Sequence, residues 1–254
     1  MRLPTVTWAG GDRIAVLIHG LFGDARSWHR VAPALVARGY TVIACDLRGH
    51  GIADRGDYGP QLWAADLVET FPTAPDLAIG HSLGGLALGL ASGELGAGRL
   101  VYLDPAWRMS REQDVASLAE WRTWLGWTSI DQLRERLAAG WPEADVQLRW
   151  ESMWHTDPAV LEGLAAGTGY DHAPLAATAP SLVIAPDPSE YITEDHEREL
   201  RRRGFTIARM PGSGHSAFRD DLPGVLAHLD DWMAERRAGG RGREAGRLAD
   251  QASS

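Results

Sequence analysis

The chain predicts an α/β architecture: a mostly parallel sheet with helices on both faces and an inserted helical cap. Three observations predict it. Short apolar runs alternate with helix-like segments over most of the 254 residues, and strands joined by helices form parallel sheets with right-handed crossovers. The alternation stops between about Ala106 and Pro174, where no convincing strand occurs. The 44% hydrophobic content is ample for one large core.

In chain order, strand-like runs fall near 5–8, 14–18, 41–45, 76–80, 99–103, 181–185 and 205–209. Helical segments fall near 27–38, 61–71, 83–95, 194–203 and 222–236. This pattern divides the chain into a first core part (1–105), a helical cap (106–174), a second core part (175–237) and a polar, glycine-rich tail (238–254). The tail lacks apolar periodicity and is expected to be disordered. The cap interval holds Trp107, Trp121, Trp124, Trp127, Trp141, Trp150 and Trp154, seven of the chain's eleven tryptophans. Leu118, Trp121, Trp124 and Leu125, then Ile130, Leu133 and Leu137, recur at helical spacing. These tryptophans either glue the cap to the core or wall an apolar acyl or aromatic pocket.

Gly80-His81-Ser82-Leu83-Gly84 is the most informative stretch. It lies between the apolar run Leu77-Ala78-Ile79 and the helix-like Leu83 to Leu90, so a serine sits on a sharp strand-to-helix turn that lifts its hydroxyl above the sheet. A serine hydroxyl is a poor nucleophile unless a base stands beside it and an acid orients that base. His215, in the glycine-rich Pro211-Gly212-Ser213-Gly214-His215-Ser216 loop after the run Phe205 to Arg209, is the candidate base. Asp187, at the carboxyl end of the run Ser181 to Ala185, is the candidate acid; Glu190 is a local alternative and Asp104, after Arg99 to Leu103, a distant one. Ser82, Asp187 and His215 lie at carboxyl ends of strands, where open α/β sheets gather their functional groups. Acyl transfer also needs backbone N–H donors for the developing oxyanion. Leu83, next after the serine, supplies one, and Leu21, in the loop His19-Gly20-Leu21-Phe22-Gly23 after Ile14 to Ile18, is the candidate for the second. His19, His50 and His81 read as structural, bonding turn backbone.

The set HGLFG, DLRGHG, GHSLGG and GSGHS, in this order, resembles the α/β-hydrolase superfamily over roughly residues 5–236, with the middle stretch unmatched. The likeness is to small single-domain esterases and to their relatives among cofactor-free haloperoxidases and C–C bond hydrolases. The resemblance implies an α/β-hydrolase fold and a serine hydrolase acting on an ester, thioester or lactone. Ser82 would be its nucleophile, His215 its general base, Asp187 its acid, and Leu21 and Leu83 its oxyanion donors. One departure touches the acid: relatives usually carry Gly-x-x-Asp after the penultimate strand, whereas this chain has Ala185-Pro186-Asp187-Pro188-Ser189-Glu190, and some relatives carry the acid one strand earlier, at the position of Asp104. Two rival readings stand beside esterase chemistry. One is C–C bond hydrolysis, acyl transfer or perhydrolysis on the same triad; the other is a hydrolase-like protein that binds a small ligand without turning it over.

Composition agrees with these expectations. A formal charge of −9 and a pI near 5.4 argue against nucleic acid or an anionic membrane as partner. The single cysteine, Cys45, allows no internal disulfide. The first residues, Met1-Arg2-Leu3-Pro4-Thr5, lack the apolar run of a signal peptide, and no stretch approaches transmembrane length. The expectation is a cytoplasmic protein acting on a small molecule, with no cofactor. His155 and Asp157 have too few ligands nearby for a metal site, and none is expected. Oligomeric state is left open.

Overall fold

The computed structural model describes residues 1–108, 110–137, 140–165, 169 and 171–234. The segment 238–254, expected to be a disordered tail, lies outside the described residues. Seven strands form one sheet: β1 (Thr5–Trp8), β2 (Arg13–Ile18), β3 (Tyr40–Cys45), β4 (Leu77–His81), β5 (Leu100–Leu103), β6 (Ser181–Asp187) and β7 (Thr206–Pro211). Their order is β1-β3-β2-β4-β5-β6-β7. Only β1 runs antiparallel, pairing Thr5 with Cys45; every other neighbouring pair is parallel.

Each central strand is covered on both faces, because successive side chains point to opposite sides of the pleat. Val16, Ile18, Ala78, Leu100, Tyr102 and Val183 enter one core. Their immediate neighbours Ala15, Leu17, Leu77, Ile79, Val101, Leu103, Leu182 and Ile184 enter the other. The first core is closed by α2 (Pro60–Thr70), α3 (Leu83–Leu95) and α8 (Glu194–Arg202) through Trp63, Leu67, Leu86 and Leu200. The second is closed by α1 (Val31–Val36), α9 (Ala217–Asp220) and a final helix, α10, spanning 222–234, through Leu35, Phe218, Leu229 and Trp232.

Two differences from the sequence expectation have local causes. The single helix expected over 27–38 is broken into a 3-10 turn, Ala25–Trp28, and α1. Asp24 accepts from the Arg26 N–H while Ser27 reaches back to the Asp24 N–H, which closes the first turn as a separate capped unit. β6 continues past Ala185 to Asp187, which pairs with Pro211 on β7. That extension decides where Asp187 stands.

Between β5 and β6 the chain builds α4 (Arg111–Leu125), α5 (Ile130–Arg136), α6 (Glu143–Trp154) and α7 (Val160–Ala165). Trp107 is fully buried in the core, edge-on to Tyr102 and Phe205, with its Nε1–H donated to the Gly85 carbonyl. It anchors the start of this helical segment to α3. No helix among the described residues is long and apolar enough to cross a membrane.

The β4-to-α3 turn packs so closely that one glycine has no substitute. A Cβ on Gly84 would lie 2.4 Å from both the Ile18 and His19 carbonyl oxygens. These are backbone atoms of a central strand end and cannot swing aside, so Gly84→Ala should lower stability by about 1–3 kcal/mol. A urea unfolding midpoint unchanged from wild type would contradict this account of the turn.

Candidate active site

Ser82 follows β4 and precedes the first residue of α3, with φ 52° and ψ −116°. A non-glycine residue at positive φ costs free energy and persists only where its surroundings over-determine it. Here the Ser82 N–H donates to the Leu103 carbonyl at 3.1 Å, and the Ser82 carbonyl accepts from both Leu86 and Ala106. The turn is thereby tied to α3 and to the end of β5. Across from it, Gly20 lies so close that a Cβ there would sit 3.0 Å from the Ser82 Cβ.

The residue after β5 is Asp104, itself at positive φ (40°) and almost fully buried. Its Oδ2 accepts from His215 Nδ1 at 2.7 Å, and its Oδ1 accepts from the Ser189 hydroxyl at 2.6 Å. Ser189 in turn accepts from the Tyr191 and Ile192 N–H groups, which fixes its direction. With Nδ1 committed to Asp104, Nε2 is the imidazole nitrogen available to take a proton. His215 and Ser82 line one cavity of about 250 Å³, together with Leu21, Phe22, His81 and Tyr191 from the core side.

Of the sequence-predicted acids, the structure brings Asp104 to His215 and leaves Asp187 and Glu190 outside. The expectation for Asp187 is corrected on this point. Because β6 extends through it, Asp187 is exposed and does not line the cavity. The β6–α8 loop contributes Ser189 to Asp104 instead. β4 and β5 are adjacent, with His81 opposite Leu103, so the residues that follow them, Ser82 and Asp104, emerge side by side.

The three other motif histidines are braces, as the sequence suggested. His19 donates through Nδ1 to the Gly20 carbonyl and accepts at Nε2 from the Leu47 N–H, and His50 donates through Nδ1 to the Arg48 carbonyl. His81 donates through Nε2 to the His215 carbonyl and stands 4.8 Å from the His215 ring, centre to centre. Burial holds all three below the ordinary imidazole range; the neighbouring His215 lowers His81 further. Asp46 of DLRGHG accepts from the Ala25 and Ile52 N–H groups and so ties that motif to the loop after β2.

Leu21 and Phe22 occupy a tight turn closed by a Gly23-to-Gly20 hydrogen bond, with Phe22 at φ 61°. Helix α6 grips this turn: Arg149 Nη1 donates to the Leu21 carbonyl at 2.6 Å and the Ser152 hydroxyl to the Phe22 carbonyl at 2.6 Å. Leu83, the first residue of α3, carries an N–H that no helical carbonyl can satisfy. The far wall of the cavity is aromatic and comes from the inserted segment, through Trp121 and Trp124 on α4 and Trp141 between α5 and α6, with Leu133, Leu137 and Arg136 beside them. Trp127, Trp150 and Trp154 border a separate hollow of about 190 Å³. Trp107 thus ties the segment to the core, while Trp121, Trp124 and Trp141 line the cavity. Among the described residues, no group of three or more His, Cys, Asp or Glu side chains gathers as metal ligands would.

Sequence reasoning missed Ser189 and the two α6 residues that hold the loop after β2. Arg149 carried a signal: it lies between Val146 and Met153 on the packed side of an amphipathic helix, where a guanidinium is out of place unless it has a job.

Comparison with known proteins agrees with this architecture. The model of the alpha/beta hydrolase family matches residues 15–229. The chain belongs to that family. An esterase of Mycobacterium tuberculosis is 25% identical over 257 residues, covering 89% of this chain and 84% of the esterase. Uncharacterised proteins of M. tuberculosis and Mycobacterium bovis are 39% identical over only 82 residues, 30% of this α/β-hydrolase and 24% of their own length. Among solved structures, the N-formylmaleamic acid deformylase of Pseudomonas putida S16 superposes with TM-score 0.76 at 23% identity, covering 89% of this chain and 94% of that one. An esterase from Exiguobacterium antarcticum gives TM-score 0.71 at 17% identity, covering 90% and 94%. At such identities the structural likeness speaks for the fold alone.

The buried neutral histidines predict an acid-sensitive fold. Each has a folded pKa below its unfolded value of about 6.5, so the unfolded chain binds protons that the folded one refuses. This contribution is favourable above about pH 6.5 and is lost as the pH falls below it, by up to about 1.4 kcal/mol per pH unit for each histidine. Urea midpoints should therefore drop between pH 7.5 and 5.5. A midpoint that held steady would contradict the neutral assignment of His19, His50 and His81.

Proposed function

We propose that this α/β-hydrolase is a serine hydrolase of small carboxylic esters, working through Ser82, His215 and Asp104. The observation that carries the reading is the 2.7 Å bond from His215 Nδ1 to buried Asp104, in the cavity that Ser82 also lines. In the proposed cycle, His215 Nε2 takes the proton from Ser82 as its Oγ attacks the carbonyl carbon. Asp104 keeps the imidazole in the tautomer that can accept this proton and stabilises the imidazolium that forms. The N–H groups of Leu83 and Leu21 receive the oxyanion, the second held in place by the grip of α6 on its turn. The alcohol leaves with the proton from His215. Water then attacks the acyl-enzyme by the same route and releases the acid. The aromatic wall of Trp121, Trp124 and Trp141 suits an apolar or aromatic part of the substrate, and the modest cavity suits a small one.

The similarity to the M. tuberculosis esterase supports ester cleavage as the first chemistry to test. Ser82→Ala should lower kcat on p-nitrophenyl acetate by a factor on the order of 10⁴ or more and abolish labelling by a fluorophosphonate probe. Turnover above about a tenth of wild type would rule out covalent catalysis at Ser82. A wild-type protein that neither reacts with the probe nor turns over any ester would favour a ligand-binding role instead.

The acid has its own test. Asp104→Asn should cost on the order of 10³- to 10⁴-fold in kcat, because the imidazole would be held in the wrong tautomer. Asp187→Asn and Glu190→Gln, both exposed, should stay within a few-fold of wild type. The reverse ranking would move the acid to the end of β6 and overturn the Asp104 assignment.

A further inference from the structure

Arg149 is the cavity's unexplained charge. It extends from α6, half-buried, beside Leu21 and Phe22, and lines the cavity that Ser82 lines. A guanidinium carries five N–H donors. Among the described residues only one hydrogen bond is made by this one, from Nη1 to the Leu21 carbonyl, and its guanidinium lies over the face of Phe22, 5.3 Å from the centroid. Among the described residues, no carboxylate lies within ion-pairing distance of it. The neighbouring buried guanidinium, Arg219, differs in this respect: Asp145 stands 3.8 Å from it and also takes up Arg30 and His29.

The other charged groups around the cavity are already engaged. Asp104 is bonded to His215 and Ser189. Asp220 accepts from Trp141 Nε1 and the Gly214 N–H, and Arg136 pairs with Glu120. Burial and the nearby Arg219 push the Arg149 pKa down to about 9, which leaves it charged at neutral pH. A charge drawn even partly out of water is costly unless it is paired. This one lines the cavity that Ser82 and His215 also line, with donors to spare.

We propose that Arg149 is a carboxylate-binding subsite, so that the substrate of this hydrolase carries a carboxylate near the carbonyl that Ser82 attacks. The inference rests on the Ser82 hydrolase reading and narrows its substrate class to acid-bearing esters. The fork of the guanidinium matches a carboxylate in a way a lysine ammonium does not. The aromatic wall then packs the uncharged remainder of the molecule.

The test compares monomethyl glutarate with dimethyl glutarate, which differ only in whether the far end is a carboxylate. Wild type should favour the half-ester in kcat/KM by about 10- to 100-fold, the scale of a hydrogen bond to a charged group in a shielded site. Arg149→Gln should remove most of that preference and Arg149→Lys part of it. The ratio is the readout because loosening the Leu21 turn would slow both substrates alike, whereas losing the subsite slows only the acid. A wild-type preference for the diester, or a ratio unchanged in Arg149→Gln, would overturn the proposal, and p-nitrophenyl acetate turnover in the same preparations would show whether the hydrolase reading survives. Binding gives a route independent of turnover. Quenching of the cavity tryptophans by 3-phenylpropanoate should need at least about 10-fold less ligand than quenching by 3-phenylpropanamide, and the difference should vanish in Arg149→Gln. Equal affinities in wild type would sink the subsite even if every ester were inert; a retained preference for the acid with no ester turnover would sink the hydrolase reading and keep the subsite.

Discussion

The hydrogen bond from the Ser82 N–H to the Leu103 carbonyl, 3.1 Å long, joins the two turns on which the candidate site is built. It continues the β4–β5 ladder one residue beyond the strands, at the point where both chains leave the sheet. Each chain leaves through a residue at positive φ, Ser82 on one side and Asp104 on the other. Two such residues in succession across a ladder are expensive, and the packing around them holds them there. Gly84 admits the backbone of the β2 end, Gly20 admits the serine, and Asp104 is bonded at both oxygens. The rest of the arrangement depends on this pairing, because it sets a hydroxyl and a buried carboxylate side by side and leaves His215 to arrive from the loop after β7.

The inserted helices do more than cover this centre. Through Arg149 and Ser152, α6 holds the two carbonyls of the turn that carries Leu21, while α4 and α5 supply Trp121, Trp124 and Leu133 to the cavity wall. Shape of the pocket and geometry of the candidate oxyanion donors are thus set by the same segment.

Much of the core was legible in the sequence because burial on both faces of a parallel sheet leaves short apolar runs that few other structures produce. All seven strands fall within a residue or two of their expected places, and GHSLG marks the strained turn because close backbone approach demands its glycines. The carboxylate that meets His215 was not legible in the same way. Asp104 and Asp187 both follow apolar strands, and choosing between them depends on how far β6 runs and where the next side chain points. Pairing with β7 decides that, and pairing is a long-range property. Ser189 was hidden for the same reason. Arg149 left a trace, a charge on the packed side of a helix, but only the cavity gives that trace a meaning. The tryptophans show the opposite limit: spacing put them on helices, yet whether each faces core, cavity or a second hollow follows from how α4 to α7 pack.

The central claim is that His215 is oriented by Asp104 from the end of β5. The most direct measurement is the far-downfield proton NMR spectrum of protein labelled with ¹⁵N at histidine, which detects an imidazole N–H held by a buried carboxylate. The account predicts one such Nδ1–H resonance from His215 that is absent in His215→Gln, lost or moved far upfield in Asp104→Ala, and unmoved in Asp187→Ala. A resonance that survived Asp104→Ala and disappeared in Asp187→Ala would contradict it.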